Sequence, residues 1–497
     1  MLVDMKDCWK FFKGKKITQM GLGLLGRGVG DAAFLAKCLS ADEADGANVL
    51  VTDLKSKKEL APSLKKLKKY KNIKYVLDRH RLADFRNCDF VLKAAGVPLD
   101  SPYIAEAKKH GIPIEMDASL FFKLMPKGVT FIGVTGTRGK TTTVHLIYEI
   151  LKRLNLKDKK GSTFLAGNIK DTATLPLLEK VGLGDFVVAE LDSWQLQGFG
   201  DSKVSPHISV FTTFLPDHMN YYAGSMKKYF QDKASIFKYQ KKGNVLILGE
   251  QVENIIRRNL AGQGFAFKNL KSTTIITNAE DLPTGWKLKI PGEHNRYNVA
   301  CALAVARALE IPDEISKKAI ENFKGVPGRL ELIRVVRGVK IYNDTCATTQ
   351  DATIAALHAL NNSSFEKRKI ILILGGTDKG LDMSKLVAEI PKHCKAVILL
   401  KETGTDKLLT EFPHLKSPLI KGVPESARPR KFCPAKFIRA RAEVVIKKTL
   451  KECVDEAMKI AKKGDIVLFS PALASFGKWF KNEYDRGEQF EKLVKGL

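Results

Sequence analysis

Short segments rich in apolar and β-branched residues stand at 17–20 (Ile-Thr-Gln-Met), 49–53 (Val-Leu-Val-Thr-Asp) and 131–135 (Phe-Ile-Gly-Val-Thr), and the longer stretches between them carry apolar residues at helical spacing. Runs this short read as strands and the intervening stretches as helices. Strands that alternate with helices need crossover connections, so the pattern predicts parallel sheets. The first run is followed by a glycine-rich turn, and Lys127-Gly128 marks a linker ahead of the run at 131–135, which opens a second α/β segment at a second glycine-rich loop. A third unit is expected after Gly325-Val-Pro-Gly-Arg329, with strands at 339–342, 370–374, 396–400 and 466–469 and helical patterns between them. The lysine-rich stretch 55–71 predicts a surface helix. Residues 423–441, with three prolines and many basic residues, predict a surface insertion. No repeat of solenoid period and no low-complexity tract interrupts this order.

The second glycine-rich loop carries the clearest chemistry. It reads Gly133-Val-Thr-Gly-Thr-Arg-Gly-Lys140-Thr-Thr-Thr143 directly after an apolar strand. Glycines in such a place let the backbone turn its amides toward an anion, and the helix that follows adds its positive end. Lys140 is suited to neutralising β- and γ-phosphate charge, and Thr141 to offering a hydroxyl to Mg²⁺. Val134 stands where the strict phosphate-loop pattern has its first glycine, so the form here is GxxGTxGKT. The loop alone predicts an ATP-binding domain.

Composition narrows the class. The 497 residues, 44% of them hydrophobic, exceed what one core usually supports, which favours two to four domains. There is no run of 18 apolar residues and no apolar leader in the first ten positions, so a soluble, cytoplasmic protein with no membrane span is expected. The eight cysteines are dispersed without zinc spacing, as in a reducing compartment. A net charge of +29 invites a nucleic-acid reading. The lysines lie throughout the chain rather than in one patch, so a solvated basic surface that favours anionic small substrates is the better reading.

Further segments follow the phosphate loop in order: Gly167-Asn168-Ile169, Glu190-Leu-Asp-Ser-Trp-Gln-Leu196, Pro216-Asp-His218, Tyr229-Phe-Gln-Asp-Lys233, Pro291-Gly-Glu-His-Asn295 and Gly328-Arg329. With the loop they resemble the motifs of the Mur ligases and their relative folylpolyglutamate synthetase, over almost the whole chain. The segments Ser470-Pro-Ala-Leu-Ala-Ser475 and Asn482-Glu-Tyr-Asp-Arg-Gly487 are most similar to the D-glutamate-adding branch of the Mur family. This resemblance implies a monomeric α/β protein of three domains: a Rossmann-like domain at 1–118 for a UDP-sugar, a central P-loop-type ATPase domain with a mainly parallel sheet at 119–326, and a Rossmann-like amino-acid domain at 327–497. It implies ATP, UDP-N-acetylmuramoyl-L-alanine and D-glutamate as substrates and Mg²⁺, two ions, as cofactor. A ligase of this kind makes its carboxylate a good acyl donor as an acyl phosphate. Both steps build negative charge on oxygen, which calls for metal ions and cationic donors placed in advance.

Carried over residue by residue, the resemblance puts ATP on Gly136, Thr137, Gly139, Lys140, Thr141 and Thr142, with Asn295 and Asn298 on the adenine side and Arg329 and Asp344 reaching the nucleotide from the third domain. Thr141, Glu190, His218 and Lys233 are implied metal-site residues, Lys233 as a carbamate. Lys140, His218 and Lys233 are the implied catalytic set. The nucleotide-sugar falls to Leu24, Leu25, Asp53, Asn168 and His218, and the incoming amino acid to Thr348, Lys379, Ser475 and Tyr484. Gly21-Leu-Gly-Leu-Leu-Gly26 followed by Asp53 would alone read as a dinucleotide fingerprint, but no hydride-transfer machinery accompanies it.

Three departures stand out. Arg138 replaces the usual asparagine of the loop, Cys346 occupies a position where lysine or another polar residue is common, and one residue is added between Ser475 and Tyr484. A ligase with a different amine acceptor is the alternative within the enzyme class, and a basic nucleotide-dependent nucleic-acid-binding protein the alternative outside it.

Overall fold

The architecture comes from a computed structural model that describes residues 5–24, 26–39, 48–98, 100–158, 161–219, 221–257, 270–361, 369–378, 380–413, 442–475, 477 and 479–497. Leu25, Lys379 and the predicted insertion 423–441 lie outside the described residues.

The apolar runs form strands as expected, and the described strands make three sheets. The first holds β1 (Lys16–Met20), β2 (Asn48–Thr52), β3 (Ile73–Val76), β4 (Phe90–Lys93) and β5 (Ile114–Glu115) in the order β3-β2-β1-β4-β5, every pairing parallel. Ile17, Val49, Val51, Phe90 and Leu92 are buried in its core. The order reverses between β1 and β4, the position at which open α/β sheets leave a crevice beyond the strand ends. The glycine turn after β1 opens there.

The second sheet holds β6 (Thr130–Thr135), β7 (Thr163–Gly167), β8 (Phe186–Glu190), β9 (Ile208–Phe211), β10 (Val245–Gly249) and β11 (Thr273–Thr277), again all parallel, ordered β11-β10-β9-β6-β8-β7. Because β6 lies between β8 and β9, the segments after these three strands meet at one sheet edge. That edge receives the phosphate loop, Glu190 and residues 212–218. The first two sheets share an apolar core in which Phe12 and Ile17 belong to the same cluster as Phe131 and Val187.

The third sheet holds β12 (Glu331–Val336), β13 (Val339–Asn343), β14 (Ile370–Leu374), β15 (Cys394–Leu400), β16 (Glu443–Lys447) and β17 (Ile466–Phe469), ordered β12-β13-β17-β14-β15-β16. Only the β12–β13 pairing is antiparallel. All five residues of β14 are buried, as a central strand covered on both faces must be.

The chain divides into two compact units, one of residues 1–286 with 296–321 and the other of 287–295 with 322–497. The lysine-rich stretch departs from expectation: of 55–71 only Ala61–Leu67 is helical. Pro62 near the start sets the first turn, and Lys65 and Lys66 stay exposed, as a solvated surface requires. Among the described residues no helix is long and apolar enough to cross a membrane.

Candidate active site

In the first unit the chain leaves β6 at Thr135, turns through Gly136 to Gly139 and enters the helix Lys140–Asp158. Gly136 and Gly139 have φ of +153° and +86°. A side chain at Gly139 would also collide with Asn298, whose Oδ1 lies 2.3 Å from the position of an added Cβ. The loop therefore requires glycine for backbone conformation and for space. Its outer wall is the 212–215 segment. Thr137 donates through its backbone amide to the Thr213 carbonyl at 2.7 Å and through its hydroxyl to the Leu215 carbonyl at 3.1 Å, and Thr213 Oγ1 accepts from the Arg138 amide at 2.8 Å. Lys140 folds back over the loop, its Nζ donating to the Gly136 carbonyl at 3.0 Å. Thr142 sits in the first turn of the same helix, half-buried.

Behind the loop runs a chain of polar contacts. Thr141 donates to Oε2 of Glu190 at 2.6 Å, Asn168 donates to Oε1 of Glu190 at 3.3 Å, and Arg27 donates to Oδ1 of Asn168 at 2.6 Å. Glu190 ends β8 and is 3% exposed. A buried carboxylate is tolerated because hydroxyl and amide donors satisfy it. The residues after it have local reasons of their own. Asp192 caps the helix Ser193–Asp201 in a capping box with Gln195, and the Trp194 ring lies 4.8 Å from that of His218.

Lys233, on the helix Met226–Ala234, is fully buried, with Nζ donating to Thr135 Oγ1 at 3.2 Å and to the Gly136 carbonyl at 3.0 Å. Burial, with the nearby Lys140 charge, holds its ammonium well below the ordinary lysine range, against weaker support from Asp192, Asp217 and Glu190. His218 sits in the left-handed region at φ +53°. Burial lowers its imidazole as well, and although Asp217 opposes this, Lys140 and Lys233 add to it. Arg138, the departure from the usual asparagine, reaches Asp217 with Nη1 to Oδ2 at 2.9 Å. Burial would raise Asp217, but the charges of Arg138, His218 and Lys140 outweigh it and hold the carboxyl below its ordinary value.

At the first sheet Asp53 follows β2, and both of its oxygens accept backbone amides. Leu22 at 2.8 Å and Gly23 at 3.1 Å donate to one, Lys55 at 2.9 Å to the other. Its carboxylate holds the glycine turn in shape, and Leu24 stands exposed on that turn.

The second unit brings together the segments that carry Asp344, Thr348, Ser475 and Tyr484. Asp344 is buried, accepting from the Leu330 amide at 3.0 Å and from Ser470 Oγ at 2.8 Å. Burial pushes its carboxyl up to about 7, against those bonds and the Arg329 charge. Arg329 also pulls against the burial that raises the Cys346 thiol. Thr348 follows on this loop, half-buried, and Ser475 is buried, donating to Glu483 at 3.3 Å. Tyr484 lies in the first turn of the helix Glu483–Lys495. Asn295 donates from Nδ2 to the Pro291 carbonyl at 2.7 Å.

Two residues that sequence reasoning passed over hold these parts in place. Arg27 joins the first sheet's helix to Asn168. Arg486, 0% exposed, donates Nε to Thr345 Oγ1 at 3.2 Å, Nη1 to the Leu473 and Ala474 carbonyls at 3.2 Å each, and Nη2 to the Thr345 carbonyl at 2.8 Å. Its planar fork ties the Asp344–Thr348 loop to the Ser470–Ser475 loop, a task a point-charge lysine cannot perform. Burial lowers its guanidinium to about 10, against the opposing charge of Glu483.

A model of the Mur ligase middle domain matches residues 134–306, and one of the Mur ligase, glutamate ligase domain matches residues 328–473. The UDP-N-acetylmuramoylalanine–D-glutamate ligase of Roseiflexus sp. strain RS-1 is 33% identical over 514 residues, covering 97% of this chain and 99% of its own. The chain belongs to the Mur ligase family. The enzyme of the same name from Borreliella afzelii strain PKo is also 33% identical, over 97% of this chain and 98% of its own. Two solved Mur ligases show the same fold. The UDP-N-acetylmuramate-alanine ligase of Thermotoga maritima superposes with a TM-score of 0.57 at 20% identity, over 97% of this chain and 99% of that one. The MurF ligase of the same organism, solved with ADP, gives 0.53 at 17% identity, over 90% and 96%. This member therefore carries the family's ATP-dependent ligase architecture, with small molecules as its substrates, over essentially its whole length.

Proposed function

We propose that this Mur ligase joins D-glutamate to UDP-N-acetylmuramoyl-L-alanine, with ATP converted to ADP and phosphate, as a step of cytoplasmic peptidoglycan precursor synthesis. The observation that carries the reading is the convergence of Lys140, Thr141, Glu190 and Lys233 around one glycine loop. Lys140 Nζ, Lys233 Nζ and the Thr141–Glu190 pair belong to a single polar cluster, bonded to the loop carbonyls or standing directly behind them.

In the reaction a carboxylate oxygen of the L-alanyl group attacks the γ-phosphorus of ATP, the bond to the β-bridging oxygen breaks, and ADP leaves. The amine of D-glutamate then attacks the acyl carbon, loses a proton, and phosphate departs with the carboxylate oxygen. Loop amides and Lys140 stabilise charge on the phosphoryl oxygens. Thr141 and Glu190 are hard oxygen donors 2.6 Å apart, a fit for Mg²⁺, which would supply charge neutralisation at the β- and γ-phosphates. Asn168 steadies Glu190 from outside. Lys233, whose ammonium is disfavoured by burial, is suited to carbamate formation with carbon dioxide, and His218 with that carbamate would serve a second Mg²⁺. Asn295, Asn298, Arg329 and Asp344 are assigned to the nucleotide. The turn after β1, with Leu24, Leu25 and Asp53, is assigned to the UDP-sugar, and Thr348, Lys379, Ser475 and Tyr484 to the amino acid.

The test supplies UDP-N-acetylmuramoyl-L-alanine, Mg²⁺ and ATP with a panel of amino acids and follows phosphate release and product mass. D-glutamate is expected to support turnover. Release with another amino acid alone would overturn the acceptor assignment, and no release with any would overturn the reaction.

A further inference from the structure

The mechanism above uses nothing on the two helices that flank β14, yet they bring together a set of metal-ligand side chains. Glu389 and His393 are one turn apart on the helix Ser384–His393, so they share a face. His358 comes from the end of the neighbouring helix Gln350–Leu360. His358 Nε2 lies 3.1 Å and His393 Nε2 3.0 Å from the same atom, Oε2 of Glu389, and one donor atom from each of the three residues lies within 4.8 Å of the others. The two imidazole rings are tilted by 44° with centroids 4.9 Å apart.

We propose that His358, Glu389 and His393 form a site for a divalent transition cation of the Zn²⁺ class. Two imidazole nitrogens and one carboxylate oxygen are the three-ligand set that zinc takes with a fourth position left to water. Tetrahedral ligands at about 2.0–2.2 Å stand about 3.3–3.6 Å apart, so the two histidine–glutamate spacings of 3.1 and 3.0 Å need open by only a few tenths of an ångström to admit the ion. The surrounding groups are those that orient ligands. Asn361 Nδ2 lies 2.7 Å from Nδ1 of His393; a turn of that side-chain amide would bring its oxygen to accept from Nδ1–H, the tautomer that frees Nε2 for a metal. Lys392 donates to the other oxygen of Glu389 at 2.6 Å, directing Oε2 toward the histidines. His393 is nearly buried while the His358 side chain is 57% exposed, so the site is anchored on one side and open to entry on the other. A bound cation would join two helices at the end of Gln350–Leu360 away from Thr348 and stabilise the native state by binding it preferentially.

The experiment dialyses the reduced, chelator-treated full-length protein against ZnCl₂ in excess Mg²⁺, and repeats it with His358→Gln, an exposed position where folding is checked by circular dichroism. Wild type is expected to hold one more equivalent of zinc than the variant, to melt at a higher temperature when zinc is added, and with CoCl₂ to show the visible absorption of a four-coordinate site that the variant lacks. Asn361→Ala is expected to weaken zinc binding by about 10- to 100-fold through loss of ligand orientation. Equal zinc stoichiometry and equal cobalt spectra in wild type and in folded His358→Gln would overturn the proposal, whatever the outcome of the ligase assay.

Discussion

Replacing Arg486 by lysine tests whether the Asp344–Thr348 and Ser470–Ser475 loops depend on one buried fork. The guanidinium makes four hydrogen bonds to acceptors in Thr345, Leu473 and Ala474. A lysine ammonium has three donors on a single nitrogen and cannot span both loops, so about half of these contacts are lost. Each buried acceptor left without its donor costs about 1–3 kcal/mol, and the remaining bonds offset part of that, which gives about 2–4 kcal/mol in all. Amide hydrogen exchange in β14 and β17 reads the opening of this unit. Protection there is expected to fall about 30- to 1,000-fold, at 1.4 kcal/mol per factor of ten. Steady-state kinetics should show a raised KM for the amino acid, whose Thr348 and Ser475 contacts stand on the two loops, and also for ATP, whose Asp344 contact shares one of them. Protection within a factor of two of wild type, together with an unchanged amino-acid KM, would refute the role given to Arg486.

Lys140→Ala removes the cation over the phosphate loop and is expected to lower kcat by about 10²–10³, read by phosphate release; near-normal turnover would contradict the placement of ATP. Gly139→Ala adds a Cβ at φ +86° against Asn298 and costs about 1–2 kcal/mol in backbone strain alone. The displaced loop should lose about 10²-fold in turnover, in the same assay, while circular dichroism shows an intact fold. Asp344 gives a pH signature. Its folded-state value of about 7 exceeds the ordinary 3.8, so the folded chain holds this proton more tightly and the associated stability is present at low pH. It is lost as the pH rises from about 4 to about 7, by at most about 4 kcal/mol. Denaturant unfolding of wild type and Asp344→Asn across this range should show a steeper loss of stability in wild type; parallel curves would refute it.

The three segments and their parallel strands were legible because short apolar runs between amphipathic stretches leave few alternatives. The phosphate loop, Glu190 and Lys233 were legible as motifs whose members stand close in sequence or recur at strand and helix ends. Arg27 and Arg486 were not. The bonds Arg27–Asn168 and Arg486–Thr345 each join residues 141 positions apart, and no spacing rule connects an arginine to a partner at that distance. Asp53 shows a different limit. Its place after β2 marked it as a contact for a nucleotide, and its oxygens prove to be engaged with the amides of the turn itself. The role of Arg138 was also hidden, because its partner Asp217 lies 79 residues away on another loop of the same sheet edge. His358, Glu389 and His393 drew no notice for the same reason: two helices must pack before the three form a group.

In the proposed reaction, ATP is spent on a carboxylate before an amine attacks it. Isotope transfer tests this directly: UDP-N-acetylmuramoyl-L-alanine labelled with ¹⁸O in its terminal carboxylate is turned over with ATP, Mg²⁺ and D-glutamate, and the released phosphate is weighed by mass spectrometry. One ¹⁸O atom is expected in each phosphate, carried across through the acyl phosphate. Unlabelled phosphate from a reaction that forms the amide would contradict it.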